Sequence, residues 1–177
     1  MDIFIRQERP EEYGKTEEMT KQAFSHEEYS NKKEHLLVRN IRKSDAFIPE
    51  LSLVAINHRN ELVGHILLSK ITIVDHDKVA DSLALAPVSV APHYQNKGIG
   101  SQLIHAALEK AKEIGYHSVI VLGHKNYYPK FGFKRAALWN IKPPFEVPDE
   151  VFMAIELTER SLEHIEGVVH YSEAFSE

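Results

Sequence analysis

A glycine, one residue and a second glycine open a long amphipathic run in "APHYQNKGIGSQLIHAALEKAKEIGY" (91–116). No other stretch constrains the fold as tightly. A glycine inside a helix costs about 1 kcal/mol relative to alanine, so something must compensate for it here. Ahead of the turn lies "DSLALAPVSVAP" (81–92), an extended apolar run interrupted by Pro87. A proline cannot donate to a sheet ladder, so it predicts a bulge or a splayed edge at that point. Behind the turn, Ile99, Leu103, Ala106, Ala107, Leu108 and Ala111 recur at about the helical period. They predict a helix from about Gly98 to Ile114, with Gly115 as its stop. "HSVIVLG" (117–123) then reads as a short buried strand. Strand, glycine turn, helix and strand in this order make a crossover unit.

The flanking chain is consistent with that unit. "DIFIRQ" (2–7) alternates as a half-buried strand, and Pro10 opens a helical stretch carrying Tyr13, Met19 and Phe24. Leu36, Leu37 and Ile41 share a face of a second short helix. "LSLVAIN" and "LVGHILLSKITIV" read as strands joined by a tight turn, and His76–Asp77 marks the next reversal. "NYYPKFG" predicts a short helix, and "EVFMAIEL" predicts a late strand after the stiff connector holding Pro143, Pro144 and Pro148. The expectation is one mixed α/β domain over residues 1–177, its twisted sheet mostly antiparallel and flanked by helices on both faces. A chain of 177 residues suffices for one such core.

Composition removes several functions. With a net charge of −5 and no basic stripe, nucleic acid is not an expected partner. The absence of cysteine excludes disulfides, thiolate nucleophiles and cysteine-held zinc, and suits a reducing, cytoplasmic setting. Eleven histidines are scattered without ligand spacing, so no metal is expected. "MDIFIRQERPEE" has no leader pattern, and no apolar run approaches the ~20 residues that span a bilayer. No membrane association is expected.

What compensates for the glycines is then a matter of chemistry. At the start of a helix several backbone N–H groups lack partners, and with the helix dipole they form an anion site. Gly98 and Gly100 let a bulky anion approach the backbone, and Gln95, Asn96 and Lys97 add donors at the rim. The compensation expected is a bound phosphate or diphosphate. Two nucleotide motifs fail: Gly100 is followed by Ser101 and Gln102 rather than by the lysine of a P-loop, and Leu103 stands where a dinucleotide fingerprint needs a small residue.

The pattern Gln-x-x-Gly-x-Gly after a strand, in "VSVAPHYQNKGIG", resembles the acetyl-coenzyme-A motif of the GNAT superfamily of N-acetyltransferases. Downstream, "YYPKFGF" (127–133) resembles that superfamily's tyrosine signature. Both occur in the family's order, separated by one helix and one strand, and the tail "PPFEVPDEVFMAIEL" with "GVVHYSEAF" resembles the YhbS-like subset. The resemblance implies acetyl-CoA as co-substrate and direct attack by a primary amine, with no acyl-enzyme. It implies that the backbone of Val88, Ser89 and Val90 pairs with the pantetheine arm. The turn Gln95, Asn96, Lys97, Gly98, Ile99, Gly100 and Ser101 would hold the diphosphate, and Tyr128 would protonate the departing thiolate. Many relatives carry Asn and Ala where this chain has Val121 and His124, and some place a base where Ala84 and Ala86 stand. No base is assigned by match; His124 and Asp81 are candidates by neighbourhood. Phe24 and Tyr29 fall where the superfamily builds its acceptor pocket. Trp139 is a cover for the acceptor side or a hydrophobic plug. The alternative is a coenzyme-A-binding regulatory module without catalysis. A homodimer is left open, as is the identity of the acceptor.

Overall fold

Two long strands, β3 (Leu62–Asp75) and β4 (Lys78–Val90), form the spine of the molecule. The computed structural model describes residues 2–28 and 30–176. The hairpin between these strands reverses at His76, whose φ of 57° places it in the left-handed region. The other strands are β1 (Phe4–Gln7), β2 (Ser52–Ile56), β5 (Ser118–Leu122), β6 (Lys134–Arg135), β7 (Ile141–Lys142), β8 (Phe152–Glu156) and β9 (Gly167–His170). The helices are α1 (Tyr13–Phe24), α2 (Glu34–Arg42) and α3 (Ile99–Glu113), with short 3-10 turns between elements. The main sheet runs β1-β2-β3-β4-β5-β8-β6. Beyond the end of β2, β9 takes over the free edge of β3 and carries β7 on its far side. Among the described residues only β4 with β5 and β7 with β9 pair in parallel, as a mostly antiparallel sheet requires.

Side-chain alternation divides the sheet. Ile66, Leu68, Leu83 and Leu85 face α3 and bury Ile99, Leu103, Ile104, Ala107 and Ala111. Each large aliphatic side chain so buried contributes roughly 1.5–3 kcal/mol. Leu67, between two residues of that face, points to the opposite side and meets Val38 and Ile41 of α2. Helices α1 and α2 thus cover one face and α3 the other.

Two departures from regular pairing set up the site. Ile66 pairs with Val88 while Leu68 pairs with Leu85, so Ala86 and Pro87 stand opposite Leu67 alone. This is the bulge that Pro87 predicts. Beside it, β4 pairs with β5 only at Leu83–Val119 and Ala84–Ile120. Past Ala84 the two strands part, and the last third of β4 is bonded on its β3 side only.

A polar network lies under α1 and α2. The Arg42 guanidinium bonds Glu8 and, at 2.8 Å, Glu17; Ser52 donates to Glu8 at 2.7 Å and stands 2.9 Å from His65 Nε2. Ser52 gives its one proton to the carboxylate, so it must accept from Nε2–H of a neutral imidazole. Burial, with Arg42 adding, pushes the His65 pKa down to about 3. The network ties β1, β2 and β3 to α2.

The short strands β6, β7 and β9 carry too few residues for a periodic signal. Trp139 packs half-buried against the cluster of Ile71, Ile141 and Phe152, as a plug. No helix among the described residues is long and apolar enough to cross a membrane.

Candidate active site

The open edge of β4 and the start of α3 meet in a cleft of about 430 Å³. Val88, Ser89, Val90, Gln95, Asn96, Gly98, Ile99, Gly100 and Ser101 all line it. Lys97 does not line it and instead sits over the Tyr94 ring. Gly98 takes φ +84° as the residue before α3, and Asn96 takes φ 64°. Left-handed residues alternating along a turn aim successive N–H groups inward, a concavity suited to an anion. No side chain caps the helix, and its first bond runs from Gln102 N–H to the Gly98 carbonyl at 3.1 Å. The amides of Ile99, Gly100 and Ser101 are therefore left without an intrahelical acceptor. A Cβ on Gly98 would meet nothing within 4 Å, so the glycine serves its backbone conformation rather than relief of a clash within the protein.

The strand edge is equally open. The Ala91 N–H donates to the Val63 carbonyl on the β3 side at 2.8 Å. Backbone groups alternate sides along a strand, so Val88 and Val90 direct theirs into the cleft. There the Gln95 side chain donates to the Val90 carbonyl at 3.0 Å, bracing the turn against the strand. The Ser89 side chain points toward α1, its hydroxyl 3.2 Å from that of Thr20.

The tyrosine signature divides between two environments. Tyr128 is 8% exposed and does not line the cleft. Its ring rests on Gly123, where a Cβ would come within 2.3 Å of Cε2, and on Tyr127 and Phe133. Burial, with Tyr127 adding, pushes its pKa up to about 12, so it holds its proton throughout the neutral range. Tyr127 does line the cleft, its hydroxyl 3.4 Å from where a Gly100 Cβ would be. Lys130 lies 4.1 Å above the Tyr127 ring and lines the same cleft. Tyr127, Lys130, Tyr94, Ala23 and Glu27 complete the wall with Phe24. The aromatic-lysine signature contained two of them, and only packing tells which of its tyrosines faces the opening.

The candidate bases lie elsewhere. His124 borders a neighbouring depression with Leu122, Asn126 and Glu150. Asp81 lines a larger cavity, about 1000 Å³, at the gap on the β3 edge between β2 and β9. That cavity mixes Lys43 and Lys70 with Asp45, Asp81 and Glu173 and contains neither the start of α3 nor the open end of β4. Size alone does not make it the site of chemistry. Tyr29 falls outside the described residues, and no group of three or more metal-ligating side chains gathers among those described.

An uncapped helix start beside a strand edge that no neighbouring strand covers presents backbone groups that suit an extended, anionic ligand. Comparison with known proteins supplies the family. The model of the acetyltransferase (GNAT) family matches residues 9–133, and the chain belongs to that family. It is 36% identical over 119 residues to the uncharacterized N-acetyltransferase YjhQ of Escherichia coli (strain K12), a match covering 67% of this chain and 65% of YjhQ. With the uncharacterized N-acetyltransferase YhbS of the same organism it shares 29% over 140 residues, 79% of this chain and 81% of YhbS. The crystal structure of E. coli YhbS in complex with CoA superposes with TM-score 0.88 at 23% identity, covering 99% of this chain and 92% of that one, a likeness of fold. A GNAT family acetyltransferase from Brucella melitensis in complex with acetyl-CoA superposes with TM-score 0.80 at 31% identity over 98% of both chains.

Proposed function

We propose that this chain is an N-acetyltransferase that moves the acetyl group of acetyl-CoA to a primary amine by direct attack in a ternary complex. The observation that carries the reading is the pairing of free amides at Ile99, Gly100 and Ser101 with an edge at Val88 and Val90 that no neighbouring strand covers, in one cleft. The amides, with the helix dipole, suit the diphosphate. The strand edge suits the two amide groups of the pantetheine arm, which can add to it as a further strand would. Val90 N–H then stands near the thioester carbonyl, where a donor stabilises charge developing on oxygen. The relatives solved with CoA and acetyl-CoA support this choice of carrier.

When the neutral amine attacks, a C–N bond forms to the acetyl carbon, the thioester C–S bond breaks, the nitrogen gives up a proton to water and the thiolate leaves. Position in the signature assigns its proton to Tyr128. The packing favours a second reading, in which Tyr127 donates it, because Tyr127 makes the cleft wall and Tyr128 lies behind. Replacing each by Phe separates the two: thiol release should fall at least about ten-fold in the variant that lost the acid, with little change in the other. The whole reading rests on calorimetric binding of acetyl-CoA and on thiol release with a panel of amines. No binding at millimolar ligand overturns it. Binding without release for any amine leaves the non-catalytic CoA-binding module.

A further inference from the structure

The cleft is lined from both faces of the sheet, and the charged side chains it holds differ between them. On the α3 face are the amides of Gly100 and Ser101, with Lys130. On the α1 face are Ala23, Phe24 and Glu27, where α1 ends. Among the described residues Glu27 is the only carboxylate lining the cleft. Its carboxylate makes no ion pair there, and the nearby Lys32 ammonium is engaged by the main-chain carbonyls of Phe24, at 3.0 Å, and of Glu27.

We propose that Glu27 selects an acceptor bearing a second positive charge, a diamine or polyamine, by holding the ammonium that does not react. The proposal rests on the transferase reading above and adds the acceptor's class. With the diphosphate on the α3 face, the carrier fills that end and the acceptor approaches the thioester from the α1 face, past Glu27 and the Phe24 ring. The attacking nitrogen must be neutral, whereas an ammonium that does not react keeps its charge and suits a carboxylate partner at the mouth of the cleft. An aromatic ring beside the carboxylate adds to the attraction of an ammonium.

The test is calorimetric titration of putrescine and of n-butylamine into the protein, with and without saturating CoA. The parent should prefer putrescine by about five-fold, the size of an ion pair with one side in water. E27Q, which keeps the side chain's shape, should lose that preference, and Glu27→Lys should reverse it; unchanged melting temperatures establish that both variants are folded. In turnover, the KM for putrescine should rise in E27Q while kcat holds. Equal affinity of the parent for the two amines, or a preference that survives in E27Q, overturns the proposal. If CoA itself fails to bind, the transferase reading falls, and the amine titrations still decide the role of Glu27.

Discussion

Gly123 acts at the scale of single atoms. A methyl group there would overlap the Tyr128 ring, with 2.3 Å to Cε2 where contact normally needs well over 3 Å. Either the ring or the end of β5 has to move. Gly123→Ala should cost about 1–3 kcal/mol, the range for overpacking a filled core, read as a lower urea midpoint. It should also lower kcat if Tyr128 is the acid, and leave kcat near the parent value if Tyr127 is. Gly98 works differently: its surroundings are open, and φ +84° alone reserves the position for glycine. Sequence marked Gly98 through its spacing from Gly100. Gly123 looked like an ordinary strand terminator, because its partner arrives only when the signature folds back.

Among the elements, the bulge and the splay position β4, while the polar network locks α2 onto β1 and β2. Arg42 neutralises a Glu8 side chain that is fully buried. Removing one partner of such a pair strands a charge, so Arg42→Leu should destabilise by about 3–5 kcal/mol, and the double replacement with Glu8→Gln should recover much of that in chemical denaturation. His65 adds a pH dependence whose sign is set by its lowered pKa. The unfolded chain takes up a proton near pH 6.5, whereas the native one resists until about 3. Stability from this group is full above pH 6.5 and falls as the pH drops below it, by up to about 1.4 kcal/mol per pH unit. Urea midpoints between pH 7 and pH 5 should slope less steeply in His65→Gln than in the parent. None of this network was legible in the sequence: Glu8, Arg42, Ser52 and His65 lie far apart in the chain and follow no local period.

For the whole molecule, a carrier that binds only the folded form raises its stability. CoA at a hundred times its Kd should add about 2.7 kcal/mol. For a domain of this length that is a rise in Tm of about 5–10 °C, measurable by thermal unfolding. The gain should shrink in Gly98→Ala, where the turn proposed to hold the diphosphate is strained. A cofactor-independent Tm would count against the site.

By itself the sequence determined the mixed α/β class, the run of strands and helices that carries the candidate site, the irregularity at Pro87 and the glycine turn at the start of α3. Each of these is written in local chemistry: periodicity, a missing N–H, glycine's backbone freedom. Tertiary structure alone decided that Tyr127 faces the cleft and Tyr128 the core, that Lys130 enters the cleft where Lys97 does not, and that Glu27 stands across the sheet edge from the free amides. Adjacent residues differ in fate there because a short turn sends neighbouring side chains in different directions, and the elements they meet come from distant parts of the chain.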